Sequence, residues 1–163
     1  MSLSNYKKVA VKFNDAFGVK THYIPQPDLF NVDTKLVNYR LSLINEEVKE
    51  LNEAIQNKDF IETIDALTDI LYVVYGGFSA FGIDADKAFD IVHQSNMSKL
   101  CKIEEDAIET VKRYKNEIPQ RYDSPKYKKA NDGIHWVVYN ESTMKILKNY
   151  KYIPPNFNSL ISQ

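Results

Sequence analysis

Residues 34–69, TKLVNYRLSLINEEVKELNEAIQNKDFIETIDALTD, determine the fold of this 163-residue chain. The stretch contains neither glycine nor proline, and the apolar side chains of its first half recur at alternating spacings of four and three residues. These side chains are Val37, Leu41, Ile44, Val48, Leu51 and Ile55. Such spacing places them along one face of an α-helix. We therefore predict a helix over residues 34–57, with Asp33 or Thr34 as its N-cap.

A second helix is predicted to start near Asp59 and to end at the Gly76/Gly77 pair or at Gly82. The segment Asp59-Phe60-Ile61-Glu62 has the form of a capping box. Apolar residues then cover most of the helix circumference, which predicts that the helix is largely buried. These residues are Phe60, Ile64, Leu67, Leu71 and Val74.

The remaining segments predict two more helices before residue 100 and a mixed C-terminal part. One helix runs over 4–17, between Ser4 as cap and Gly18 as stop, and another runs from Asp84 to about Ser95. A charged helix is expected over 103–117, a loop over 119–133, and two short strands over 134–139 and 144–147. The prediction is an all-α fold, a bundle of about four helices, with a small β-hairpin near the C-terminus.

Composition narrows the classes of protein to which the chain can belong. With 44% hydrophobic and 26% charged residues it is expected to be globular, and its net charge of −1 predicts no nucleic-acid footprint. The longest apolar stretch, around residues 70–81, contains glycines and is too short to span a bilayer, so no membrane partner is expected. A lone cysteine, Cys101, excludes an internal disulfide. We expect a cytoplasmic protein.

Two acidic pairs on the first two helices of the deciding stretch indicate a metal site. Glu47 and Glu50 lie one turn apart on the first helix, and Glu62 and Asp65 repeat the spacing on the second. Because only Gln56 to Asp59 separate the two helices, the helices are expected to be antiparallel and the pairs to face each other. Carboxylates packed without partners repel one another, and a cation between them removes that cost. An all-oxygen ligand set favours Mg²⁺, or Mn²⁺, over zinc. The alternative is that Glu62 serves only as the return arm of the capping box.

The pattern Glu46-Glu47-x-x-Glu50, followed by Glu62-x-x-Asp65, resembles the signature of the all-α nucleotide pyrophosphohydrolases. That superfamily includes MazG-like enzymes, dimeric dUTPases and phosphoribosyl-ATP pyrophosphohydrolases. The segments 11–18, 65–76, 81–84 and 92–100 are also similar to this superfamily, and the segment 148–155 is weakly similar. The resemblance implies a single MazG-like domain over 1–163, with its core at about 4–100 and a C-terminal elaboration over 101–163. Residues 102–146 match no pattern.

The resemblance also implies site residues. Four carboxylates would hold Mg²⁺: Glu47, Glu50, Glu62 and Asp65. Glu46 and Glu47 would be catalytic, and which of them acts as the general base stays open. Asp69 either orients another site residue or bonds within the bundle. Asn96 and Lys99 would contact the nucleotide substrate, and the protein would be a homodimer or homotetramer.

The function expected from this resemblance is Mg²⁺-dependent hydrolysis of a nucleoside triphosphate to the monophosphate and pyrophosphate. One alternative is hydrolysis of phosphoribosyl-ATP. A second, from a different class, is a catalytically idle helical module that binds a nucleotide or a partner protein. The intact acidic pairs favour an enzyme over this last alternative.

Overall fold

The computed structural model of the protein describes residues 3–162. These residues form two compact units. The first unit contains the described residues up to Phe89 and those from Phe157 onwards, and the second is Asp90–Asn156.

The first unit begins with a helical segment in three parts. α1 (Asn5–Lys7) leads into a π-helical turn, Lys8–Phe13, and then into α2 (Asn14–Phe17). Ser4 caps the segment by accepting a hydrogen bond from the backbone N–H of Lys7 at 3.3 Å. Gly18 ends it with φ at +65°, so both predicted ends of this helix are confirmed.

A helical hairpin forms the main part of the first unit. After the short α3 (Leu29–Val32) come α4 (Thr34–Asn57) and α5 (Phe60–Phe81), which pack against each other. Asp33 caps α4 through the backbone N–H of Leu36 at 3.1 Å, as predicted. Because only residues 58 and 59 separate two helices that pack together, α4 and α5 are antiparallel.

Gly82 ends α5 at a point where another part of the chain comes close. Its φ is +69°, and a Cβ at this position would overlap the backbone carbonyl of Ile24. The loop that contains Ile24 is held to the end of α5 by two backbone hydrogen bonds, His22 N–H to Ser79 O at 3.1 Å and Gln26 N–H to Phe81 O at 2.9 Å. Glycine is therefore required at 82 for its positive φ and for its lack of a side chain.

The remaining helices are shorter. α6 (Ala85–Met97) is capped by Asp84 as predicted, and it runs from the first unit into the second. α7 (Glu104–Lys115) confirms the helix predicted over 103–117, and α8 (Asn158–Ile161) returns to the first unit.

A three-stranded antiparallel sheet distinguishes the second unit. β1 (Pro125–Lys129), β2 (Trp136–Asn140) and β3 (Lys145–Ile146) pair in the order β1-β2-β3. The core beneath the sheet contains Cys101, Ala107, Val111, Val138 and Leu147.

The structure confirms part of the predicted fold and corrects the rest. The chain is mostly helical, and β2 and β3 confirm the predicted hairpin. The loop predicted over 119–133 is wrong, because β1 lies within it and pairs with β2 from Pro125↔Asn140 to Lys129↔Trp136. The structure does not confirm a bundle of four helices; its extensive helix pairing is that of α4 with α5.

Burial of α5 also differs from the prediction. Within the single chain the apolar residues expected to be covered are largely exposed: Phe60 by 75%, Ile64 by 48%, Leu67 by 50% and Leu71 by 56%. Among residues 3–162, α5 is the one helix that is long and apolar enough to cross a bilayer by length and composition. It also carries three carboxylates and pairs with α4.

Candidate active site

A cleft of about 410 Å³ lies between the end of α4 and the beginning of α5. Glu50 and Glu53 line it from α4, and Glu62 and Asp65 line it from α5. Its walls are completed by Ala54, Asn57, Asp59 and Ala66. Two of these are small residues that are nearly fully buried, Ala54 at 5% and Ala66 at 4% exposed, and their size lets the two helices approach closely. The second predicted pair, Glu62 and Asp65, therefore lines the cleft in full, whereas the first pair contributes Glu50 but not Glu47.

Glu47 extends the acidic surface by one turn along α4. Partial burial raises the pKa of its carboxyl group above the usual value, and the neighbouring charges of Glu50, Asp69, Glu46 and Asp65 raise it further, in that order. Charges from both helices therefore act on one side chain. A raised pKa means that the ionised carboxylate is disfavoured here, which a nearby cation would reverse.

The N-terminus of α5 settles the alternative for Glu62. Asp59 caps the helix by accepting hydrogen bonds from the backbone N–H groups of Ile61 at 3.0 Å and Glu62 at 3.1 Å. Its own N–H donates to the carbonyl oxygen of Ala54 at 2.9 Å instead of to the Glu62 side chain. The reciprocal half of the capping box is therefore not formed, and the Glu62 carboxylate remains available to the cleft.

Three of the cleft carboxylates, Glu50, Glu62 and Asp65, have no salt-bridge partner among the described residues. Among residues 3–162, only Glu53 of this group forms a salt bridge, with Lys49 at 3.5 Å. In the same described residues no three histidine, cysteine, aspartate or glutamate side chains converge in a group that could hold a metal ion. The donors nevertheless fit Mg²⁺ in chemistry, since they are all carboxylate oxygens. Glu50, Glu62 and Asp65 are exposed, so their side chains are free to rotate toward a shared ion.

Arg40 is a residue of this helix pair that the sequence interpretation did not assign. It lies two turns before Glu47 on α4, and only 8% of it is exposed. Its Nε and Nη2 atoms are buried without a hydrogen-bond partner, and burial lowers its pKa. Gly76 of α5 makes room for it, because a Cβ there would lie 2.8 Å from Arg40 Nη1. The sequence signal was an arginine in register with the acidic face.

Asn96 and Lys99, the residues expected to contact the nucleotide, belong to the second unit. Asn96 lies in the last turn of α6, and Lys99 follows that helix. Lys99 Nζ donates a hydrogen bond to Asn96 Oδ1 at 2.7 Å. The two side chains are thus brought together.

The aromatic residues of α5 pack against other rings and apolar side chains of the first unit. Tyr72 contacts Phe13 edge-on at 5.3 Å between ring centroids, and Phe81 contacts Phe30 at 5.1 Å. Tyr75 and Phe78 pack against the core formed by Tyr6, Ala10 and Ala85.

Comparison with known proteins gives two findings. The sequence profile of the phosphoribosyl-ATP pyrophosphohydrolase family matches residues 11–96, just over half of the chain. The match includes both acidic pairs and Asn96, and it ends before Lys99. An uncharacterized protein of Acanthamoeba polyphaga mimivirus is 28% identical to this chain, over 97% of the chain and 96% of its own length.

Proposed function

Because this chain belongs to the phosphoribosyl-ATP pyrophosphohydrolase family, we propose that it hydrolyses a nucleoside triphosphate to the monophosphate and pyrophosphate with Mg²⁺. The family lies within the MazG-like nucleotide pyrophosphohydrolases, so the chain is a pyrophosphohydrolase, an enzyme that cleaves acid anhydrides. The observation that carries the proposal is that Glu50 of α4 and Glu62 and Asp65 of α5 line one cleft.

Glu47, Glu50, Glu62 and Asp65 are the proposed ligands of Mg²⁺. Their oxygen atoms match the preference of this ion, and their mutual repulsion, reflected in the raised pKa of Glu47, favours a cation at this place. When bound, the ion supplies positive charge that offsets the charge of the triphosphate and of the departing pyrophosphate.

Glu46 and Glu47 are the proposed catalytic carboxylates. Hydrolysis requires a group that orients water and accepts its proton as the water attacks phosphorus. A carboxylate with a raised pKa is a better proton acceptor than one at the usual value, which favours Glu47 for this step. Glu46 precedes Glu47 in the chain, and its charge is one of those that raise the pKa of Glu47. In this proposal Glu46 orients the water.

Asn96 and Lys99 are the proposed nucleotide contacts. The Lys99 ammonium group is a mobile point charge suited to a phosphate oxygen. Its hydrogen bond to Asn96 holds it near the end of α6. In this role the two residues bind substrate and leave proton transfer to the carboxylates.

Phosphoribosyl-ATP is the second candidate substrate. The observation that favours it is the description of the matching family, which names this compound. It contains the same kind of phosphoanhydride, so the same carboxylates would serve. Activity on phosphoribosyl-ATP without activity on ordinary triphosphates would establish this alternative.

The test is release of pyrophosphate from a panel of NTPs and dNTPs with Mg²⁺, comparing wild type with Glu50→Gln. The substitution keeps the size of the side chain and removes one ligand charge. We expect a loss of more than about 100-fold, beyond the roughly 10–100-fold typical when only a group supporting a ligand is changed. Glu105→Gln, at an exposed position on α7, is the matched control and should keep wild-type activity. Equal activity of Glu50→Gln and wild type would refute the metal assignment.

A further inference from the structure

The second unit contains a larger cleft than the acidic one, with a volume of about 610 Å³. It lies wholly within Asp90–Asn156 and shares no residue with the acidic cleft. Most of its lining comes from residues 110–152, a segment outside the part of the chain that matches the family profile. The volume is within the range of roughly 300–1,000 Å³ typical of small-molecule sites.

The lining of this cleft is strongly cationic. Five cations face a single carboxylate, that of Glu117. The cations are Lys99, Arg113, Arg121, Lys145 and Lys148. Arg121 pairs with Glu117, and Arg113 pairs with Glu109 at 2.8 Å. The three lysines have no carboxylate partner among the described residues, so they concentrate positive potential in a concave site, which attracts anions.

Tyrosine rings form the rest of the wall. Tyr114 and Tyr122 meet edge-on with ring centroids 5.3 Å apart, and Lys145 Nζ lies 5.4 Å from the ring centroid of Tyr122. Lys148 Nζ lies 4.5 Å from the ring centroid of Tyr152. Cations and aromatic faces therefore alternate around the cleft, the combination that proteins use to bind phosphates together with nucleobases.

Hydrogen bonds fix the wall in place before any ligand arrives. Asn149 is 6% exposed and donates to the carbonyl oxygens of Ser98 at 2.7 Å and Leu100 at 2.9 Å. The hydroxyl of Tyr114 donates to the carbonyl oxygen of Lys148 at 2.8 Å. Tyr152 accepts a hydrogen bond from Ser95 Oγ at 2.8 Å. A preformed wall lowers the entropic cost of binding.

We propose that this cleft is a nucleotide-binding site, with Lys145 and Lys148 contacting the phosphates and the tyrosines contacting the base. A nucleoside triphosphate matches the cleft in charge, in aromatic character and in size. Lys99, a proposed nucleotide contact of the hydrolysis, also lines this cleft, so the proposal deepens the proposed function and rests on it. It adds Lys145, Lys148 and the tyrosines as binding groups whose effect can be measured without Mg²⁺.

The test is calorimetric titration of the full chain with ATP, GTP, CTP and UTP in EDTA, which prevents hydrolysis with Mg²⁺. We expect the double variant Lys145→Gln/Lys148→Gln to bind at least about tenfold more weakly, since two charge-assisted contacts are lost. The matched control is Lys128→Gln/Lys129→Gln, which removes two lysines of β1 that stack on Tyr139 and Trp136 outside the cleft. The control should bind as wild type does, and circular dichroism would verify that both variants are folded.

Three results would overturn the proposal: equal affinity of the cleft variant and wild type, pyrophosphate binding as tightly as any nucleotide, or a single-stranded oligonucleotide binding more tightly than all of them. The second result would indicate a site for inorganic anions, and the third a nucleic-acid surface. Glu50→Gln separates this proposal from the hydrolytic one, because it should abolish pyrophosphate release and leave metal-free nucleotide binding unchanged.

Discussion

Glu47 lies among carboxylates of two helices, and this position has opposite effects on stability and on the proposed activity. A folded-state pKa above the unfolded value means that the folded protein holds the proton more tightly, so stability falls as pH rises through that range. The cost is fully present once the pH is above the folded-state pKa. A site built for a cation is thus expected to be strained without one.

The corresponding prediction is that Glu47→Gln raises the thermal midpoint of the metal-free protein at pH 7 and lowers pyrophosphate release. The amide keeps the shape and removes the repulsion from Glu50 and Asp69. Differential scanning calorimetry in EDTA would measure the first effect. Glu105→Gln, far from these charges in sequence and exposed, should change neither quantity. A lowered midpoint for Glu47→Gln would contradict the repulsion argument.

Gly76 and Gly77 of α5 should respond differently to substitution by alanine. Nothing lies within 4 Å of a Cβ built on Gly77, so Gly77→Ala should stabilise the helix by about 0.5–1 kcal/mol. A Cβ on Gly76 would lie 2.8 Å from Arg40 Nη1, and this buried guanidinium would have to move. We expect Gly76→Ala to be less stable than Gly77→Ala in urea unfolding. Equal stability of the two variants would show that Arg40 moves without cost.

Asp132 gives a pH-dependent prediction. Its pKa falls from 3.8 to about 2, first because it accepts the backbone N–H of His135, then through the His135 side chain and the backbone N–H of Ile134. An acid with a depressed folded-state pKa contributes stability that is present above the unfolded value and lost as pH falls toward 2. Asp132→Ala should therefore destabilise the protein at pH 6 and much less at pH 2. Unfolding curves at both pH values would measure this; a pH-independent difference would contradict it.

At the scale of elements, the helices were predictable because their signals are local. Asp33 and Asp59 start α4 and α5 by accepting hydrogen bonds from backbone N–H groups within the first turn. Gly82 ends α5 because it can adopt a positive φ. The acidic pairs were likewise predictable from spacing along two helices joined by a short connection. The proposed role of Asn96 and Lys99 in substrate binding came from family resemblance, since no local pattern relates them to the carboxylates.

β1 was not predictable from its own residues. Its sequence, PKYKK, starts with proline and is rich in lysine, which is typical of a loop. It is a strand because it pairs with β2, where Lys129 lies opposite Trp136. The ring of Tyr127 also contacts the ring of Trp136, with 5.8 Å between the centroids. Arg40 was missed for a similar reason, since its burial depends on Gly76, far away in the chain.

Asn140, at the end of β2, bonds through its side chain to the residues just before β1. It is 2% exposed, accepts the backbone N–H of Ser124 at 3.0 Å, and donates to Asp123 Oδ1 at 2.9 Å. Asn140→Ala removes these part-buried hydrogen bonds together, so we expect a loss of about 1–3 kcal/mol in the free energy of unfolding. Asn131→Ala, at an exposed position, is the control and should cost far less. Equal losses would contradict the assignment.

At the scale of the whole molecule, exposed apolar side chains on the α4–α5 hairpin are the outstanding feature. Leu41 is 54% and Ile55 is 57% exposed on α4, alongside Leu67 and Leu71 on α5. Large apolar side chains exposed on a helix pair are commonly covered in an oligomer. We propose that a second copy of the chain covers it, forming a homodimer or homotetramer.

This proposal predicts that sedimentation equilibrium gives a mass at least twice the 18.9 kDa of one chain. Leu67→Lys should shift the protein toward the monomer, since a charge cannot be buried at an apolar interface without a large cost. Ile118→Lys, at a position that is 95% exposed in the second unit, should leave the mass unchanged. Wild-type protein sedimenting as a monomer would refute the proposal.

The close approach of Ile24 to Gly82 limits which amino acids position 82 can accept during evolution. Any side chain at 82 would displace the loop held by the backbone of Ser79 and Phe81. Every amino-acid substitution at this position is therefore expected to destabilise the protein. Substitutions of exposed α5 residues meet no comparable barrier within the chain. Descendants of this protein should therefore keep glycine at 82 long after similarity along α5 has faded, which makes this position a lasting landmark for aligning remote relatives.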